Sequence, residues 1–239
     1  MLGNDRSSVA NASGALAVLV SGGLDSAILL AEALREHAAV HPLYVQFGLY
    51  WETVELRQLR RFLEAIQTPE RRALQVLDMP VADLYGTHWS ITGRDVPGAD
   101  SADEAVFLPG RNVLLLAKAM LWCHLHKVPA VALAVLATNP FPDATSEFFR
   151  DFAAAINRGI DGAVRVETPY RGLSKVDIVR LGRGLPLEHT LSCASPVNAG
   201  HCGVCNKCGE RGRAFRAAGL PDPARYHSRA WETMAQEPH

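Results

Sequence analysis

The chain has 239 residues, 48% of them hydrophobic and 21% charged. That balance excludes a disordered, collagen-like or small disulfide-stapled chain. With 24 basic and 25 acidic side chains the formal charge is −1, which gives no general nucleic-acid footprint. No apolar run approaches the roughly 18 residues of a membrane helix. Residues 1–14 are polar and small, and the apolar run after them lacks a charged lead and a cleavage site. A cytoplasmic chain is expected, in which cysteines serve as metal ligands or free thiols rather than disulfides.

Residues 15–20, Ala-Leu-Ala-Val-Leu-Val, read as a buried strand, and a helical pattern follows over 24–35. Residues 41–47 are strand-like, 52–66 helical, and 73–77 a weaker strand. The stretch 85–104 carries Gly, Pro, Asp and Thr without a period and reads as a long loop. An apolar helix covers 111–126, and a buried strand 130–136. Two prolines make 138–144 a loop, before a helix over 148–158 and a short strand over 164–167. Ser174 is a candidate N-cap for a helix reaching 181. From Cys193 the texture turns to Cys, Gly and Asn, then a helix over 209–218 and an irregular tail after Pro221. Strands alternating with helices predict an α/β fold: an open, mostly parallel sheet with helices on both faces. The chemistry divides the chain into an α/β part, 1–190, and a cysteine-bearing element with a C-terminal helix, 191–239, packed on it.

Between the first strand and first helix stands Ser21-Gly22-Gly23-Leu24-Asp25-Ser26. Two glycines let the backbone turn sharply, and their N–H groups with the helix N-terminus form an anion site. Ser21 and Ser26 add hydroxyls. Asp25, an acceptor only, either holds Mg²⁺ or caps the helix. No Gly-Lys-Ser/Thr follows, so this is not a Walker A loop.

Cys193, Cys202, Cys205 and Cys208 have the spacing Cys-x8-Cys-x2-Cys-x2-Cys. Four thiolates leave no open coordination position, which points to structural zinc; an iron–sulfur cluster is the competing reading. Gly200, Gly203 and Gly209 supply turns around the metal. Cys123 stands apart on the apolar helix as a core residue.

The loop is similar to the pyrophosphate loop of the N-type ATP pyrophosphatase superfamily. Together with the cysteine cluster it makes the chain resemble the 7-cyano-7-deazaguanine synthases, over about residues 15–222. Four segments carry the resemblance: Val20, Ser21, Gly22, Gly23, Leu24, Asp25, Ser26, Ala27, Ile28, Leu29 and Leu30; Phe107-Leu108-Pro109-Gly110-Arg111-Asn112; Leu173-Ser174-Lys175-Val176-Asp177-Ile178-Val179; and the cysteines. Two segments depart from it. Phe47-Gly48-Leu49-Tyr50-Trp51 stands where the family reads Tyr-Gly-Gln-Arg-His, and Asn139-Pro140-Phe141-Pro142-Asp143-Ala144 where it reads Ser-Gly-Tyr-Pro-Asp-Cys.

The resemblance implies a carbon–nitrogen ligase that adenylates 7-carboxy-7-deazaguanine with Mg²⁺·ATP. Free ammonia then displaces AMP, and a second adenylation gives the nitrile precursor of queuosine. Val20 to Leu30 would bind ATP, with Asp25, Lys175 and Arg111 as the catalytic set. Arg111 offers a fork for carboxylate or phosphate. Asn112 would meet a base edge, Asp143 a guanine-type N–H pair, and Phe141 and Trp51 stacking faces. Because the two departures lie on the acceptor side, three alternatives remain open: a ligase that stops at the amide or uses another amine, a tRNA sulfur-transfer enzyme, and a non-catalytic nucleotide-binding protein. A homodimer is compatible with the sequence.

Overall fold

The computed structural model describes residues 13–234; the stretches 1–12 and 235–239 lie outside the described residues. Five strands are present: β1 (Ser13–Leu19), β2 (His37–Gln46), β3 (Gln75–Asp78), β4 (Ala130–Ala132) and β5 (Arg165–Glu167). Their order is β3-β2-β1-β4-β5, and every pairing is parallel. The expected mostly parallel α/β sheet is therefore wholly parallel.

The helices are α1 (Leu24–Glu36), α2 (Glu52–Ala65), α3 (Ala82–Tyr85), α4 (Trp89–Thr92), α5 (Arg111–Leu125), α6 (Ser146–Ile160), α7 (Lys175–Leu181), α8 (Asn206–Ala218) and α9 (Trp231–Met234). Strand alternation assigns them to two layers. Leu16, Val18 and Val20 point to one face, where they pack with Leu24, Ile28 and Leu30 of α1, Leu59 and Phe62 of α2, Ile178 of α7 and Phe215 of α8. Ala17 and Leu19 point to the other, against Leu116, Ala119 and Met120 of α5 and Phe149 of α6. A strand buried on both faces needs the unbroken apolar run that 15–20 supplies.

Several boundaries moved for physical reasons. β2 begins at His37, not 41, because α1 passes straight into it and Ser13 pairs with His37. β4 stops at Ala132: residues 133–136 leave the ladder to line a pocket. The stretch 85–104 is not a plain loop. It holds α4, capped by the His88 side chain accepting from Ser90 N, and runs into a 3-10 turn at Asp103–Val106. Helix α8 starts at Asn206, with Cys205 as its N-cap residue, so Gly209 is helical rather than a turn. There a Cβ would approach the Ala99 carbonyl to 2.8 Å. The tail after Pro221 carries α9.

Among the described residues, no helix is long and apolar enough to cross a membrane. The C-terminal segment is tied down by Arg211, fully buried on α8. It donates to both carboxylate oxygens of Asp222 (2.9–3.1 Å), to Thr190 Oγ1 (2.6 Å) and to the Leu187 carbonyl (3.2 Å).

Candidate active site and metal centre

In a parallel sheet the chain leaves β1 and β4 toward opposite edges, and their carboxyl ends bound a crevice. Here that crevice is a pocket of about 320 Å³. One lobe is made by the turn after β1. Gly22 has φ +71°, which favours glycine, and a Cβ there would meet the Glu55 carbonyl at 2.9 Å. Ser26 Oγ accepts from Ser21 N (3.1 Å) and donates to the Gly23 carbonyl (3.3 Å), which ties the loop to the first turn of α1.

Asp25 does not cap α1; no side-chain cap bond is present at that helix start. Its Oδ2 instead accepts from Lys175 Nζ at 2.7 Å, across 150 residues, while its Oδ1 is buried without a partner. Lys175 is delivered by α7, whose start is a full capping box: Ser174 Oγ accepts from Asp177 N, and Asp177 accepts from Ser174 N. Lys175 also lies 3.2 Å from Glu210, which lies 2.8 Å from Lys207. Burial opposes a charge on Lys175, but Asp25 and Glu210 outweigh it and raise its pKa. Burial likewise opposes charge on Glu210, yet the two lysines hold its carboxyl down to about 2.

The second lobe is aromatic and acidic. Trp51 stacks on Trp89 at 5.7 Å, and Phe141 lies 5.0 Å from Phe107. Arg111, at the start of α5, lines the pocket, and its Nε is buried without a partner. Two glutamates on α2, passed over in the sequence, face the same space. Glu52 accepts from Phe47 N (2.8 Å) and Gly48 N (2.6 Å), and so holds the turn that carries Trp51. Glu55 accepts from Tyr44 Oη at 2.8 Å and from the Trp51 indole. Burial pushes the Glu55 carboxyl up to about 8, against the pull of the Arg111 guanidinium. The signal available in the sequence was two acids three positions apart at a helix start, which also describes an ordinary helix N-terminus.

Asn112 and Asp143 are placed differently from the base-edge roles expected of them. Asp143 Oδ2 accepts from Asn112 N (3.0 Å), and Asn112 Nδ2 donates to the Asp143 carbonyl (3.0 Å) and Oδ1 (3.4 Å). Asp143 thus caps α5 from another segment, and Asn112, while bonded to it, also lines the pocket. Phe141 and Trp51 do line the pocket.

The four cysteines expected to bind metal converge. Cys193, Cys202, Cys205 and Cys208 are buried, with all sulfurs within 4.8 Å of one another. Cys202 and Cys208 sulfurs lie 3.8 Å apart, and Cys193 and Cys205 sulfurs 4.0 Å apart. A tetrahedral ion with Zn–S bonds of about 2.3 Å needs sulfur–sulfur edges of about 3.8 Å. Backbone N–H groups of Cys202, Gly203 and Val204 point at cysteine sulfurs (3.3–3.4 Å), an arrangement that favours thiolates. The cluster could therefore hold a metal ion. It also abuts the pocket, since Cys193 lines it and Leu191 N donates to the Gly22 carbonyl at 2.8 Å.

Comparison with known proteins agrees with this arrangement in extent. The profile of the family described as "Queuosine biosynthesis protein QueC" matches residues 15–219. A protein of Methylococcus capsulatus named 7-cyano-7-deazaguanine synthase is 33% identical over 221 residues, covering 88% of this chain and 98% of that protein. One of the same name from Xanthomonas campestris is 35% identical over 221 residues, covering 87% of this chain and 96% of its own length. The span matched by the family profile runs from β1 past the last cysteine of the cluster, and the chain belongs to the queuosine biosynthesis protein QueC family.

Proposed function

We propose that this chain is a carbon–nitrogen ligase of queuosine biosynthesis, which turns 7-carboxy-7-deazaguanine and ammonia into 7-cyano-7-deazaguanine at the expense of ATP. The observation that carries the reading is one pocket lined both by the glycine turn at the end of β1 and by an aromatic wall beside Arg111. Family membership and the names of the relatives supply the substrate class.

The phosphates of Mg²⁺·ATP belong on the N–H groups of Gly23 and Leu24, with Ser21, Ser26 and Lys175 around them. Asp25, with one orphaned buried oxygen, fits the accompanying Mg²⁺. Arg111 holds the substrate carboxylate, and Trp51 and Phe141 flank the planar base. The carboxylate oxygen attacks the α-phosphorus and pyrophosphate leaves. Ammonia attacks the acyl carbon, AMP leaves, and the amide forms. Adenylation of the amide oxygen by a second ATP, then loss of AMP and a proton, gives the nitrile. Donors placed ahead of time toward the leaving pyrophosphate are the main protein contribution. The four-thiolate site, closed and buried, fits structural zinc.

The test is product analysis by mass spectrometry and nucleotide chromatography with ATP, ammonia and the carboxylate. AMP, pyrophosphate and the nitrile are expected. ADP as the nucleotide product would refute the assignment. AMP with the amide alone, or with the base joined to another amine, would convert it to an amide-forming ligase.

A further inference from the structure

Two lysines, not one, border the anion loop. Lys207 sits in the first turn of α8, between Cys205 and Cys208. Its Nζ lies 2.8 Å from Glu210 Oε2, and the other oxygen of that carboxylate lies 3.2 Å from Lys175 Nζ. Lys175, Lys207, Asp25 and Glu210 all line the pocket beside Ser21, Gly23 and Leu24. The simplest reading of Lys207–Glu210 is an i,i+3 ion pair at the surface, which contributes little to stability. Two features go beyond it. Glu210 is shared with a lysine from α7 that is itself bonded to the phosphate-loop Asp25. And the Lys207 backbone is fixed on both sides, because the Cys208 and Gly209 amides donate to the Cys205 carbonyl (3.0 and 3.1 Å).

An ammonium has three donors. One bond to Glu210 leaves Lys207, which lines the pocket, with donors to spare for a ligand there. We infer that Lys207 is a second phosphate-binding lysine for the nucleotide, positioned by the cysteine cluster, so that the metal centre completes the nucleotide site. This rests on the nucleotide reading above. Glu210 acts through the two lysines as a positioning residue, holding both side chains toward the loop.

The test is calorimetric binding of inorganic pyrophosphate, with Mg²⁺, to the full zinc-loaded protein. Wild type should bind, Lys207→Met about tenfold more weakly, the typical size of one charge-assisted contact. Lys207→Arg should bind nearly as wild type, with zinc content equal in all three. Equal affinity in wild type and Lys207→Met would overturn the inference while leaving the nucleotide reading intact; a wild type that binds neither pyrophosphate nor ATP would remove both. A variant-free measurement guards against misfolding. The chain has only four lysines, and acetylation of wild type should slow several-fold at Lys207 when pyrophosphate is added, but not at Lys118 or Lys127. Unchanged acetylation of Lys207 would also overturn the assignment.

Discussion

The amide of Leu191 donates to the carbonyl of Gly22 at 2.8 Å, which binds the segment leading into the cysteine cluster to the tightest point of the phosphate loop. Two residues further on, Cys193 is one of the four cysteines that could hold a metal ion. The Ser192 amide between them donates to His201 Nε2 at 3.0 Å, beside Cys202. The loop is therefore braced by the segment that carries the cysteine cluster, not only by its own glycines.

That brace predicts a coupling. One zinc per chain is expected, and Cys205→Ser should lose it and unfold at markedly lower denaturant, since structural zinc is worth on the order of 10 kcal/mol in small domains. Partial chelation of wild type should weaken pyrophosphate binding before global unfolding. Metal analysis with parallel calorimetry and circular dichroism checks both. Visible absorption of an iron–sulfur centre would overturn the zinc assignment.

Asp25→Asn keeps the size of the side chain but removes its charge from beside Lys175. Single-turnover AMP formation should slow by about 10²–10³, the usual loss for one preorganised charge contact. ATP-site occupancy, followed separately by calorimetry, should change far less.

Arg111 and Asn112 are adjacent yet should behave differently. Arg111→Ala removes a guanidinium that lines the pocket and whose Nε has no partner, and should raise KM for the base carboxylate strongly with little loss of stability. Asn112→Ala removes the two side-chain bonds to Asp143 while leaving the backbone cap bond, and should cost about 1 kcal/mol of stability, with a smaller effect on KM. Urea titration beside steady-state kinetics separates the two.

Asp222→Asn leaves Arg211 charged and fully buried without its counter-ion. A loss of about 3–5 kcal/mol is expected, because breaking one side of a buried pair strands the other. Replacing both partners, Arg211→Met with Asp222→Leu, should recover part of it.

Glu55 makes a pH signature. Its carboxyl is pushed up to about 8 by burial, above the ordinary glutamate value of 4.5. The folded state thus holds the proton more tightly than the unfolded chain, so this contribution is full below about pH 4.5 and is lost as pH rises through about 8. Glu55→Gln should show a flatter stability profile over that window. Identical slopes in urea midpoints for variant and wild type would refute the raised pKa.

The sequence by itself determined the periodic and the local. The apolar run at 15–20 specified a strand buried on both faces, Ser21–Ser26 a tight strand-to-helix turn, Ser174 a helix cap, and the cysteine spacing a four-thiol cluster that could hold a metal, because each depends on residues a few positions apart. Only the tertiary structure decided what those pieces meet. It set Lys175 on Asp25, turned Asn112 and Asp143 toward each other, brought Glu52 and Glu55 to the pocket, and put Lys207 at the phosphate loop. It also ended β4 at Ala132, where pairing gives way to pocket lining. The longest of such contacts join residues 150 or more positions apart, and their partners are set by sheet order and crossover direction, which leave no trace in local spacing.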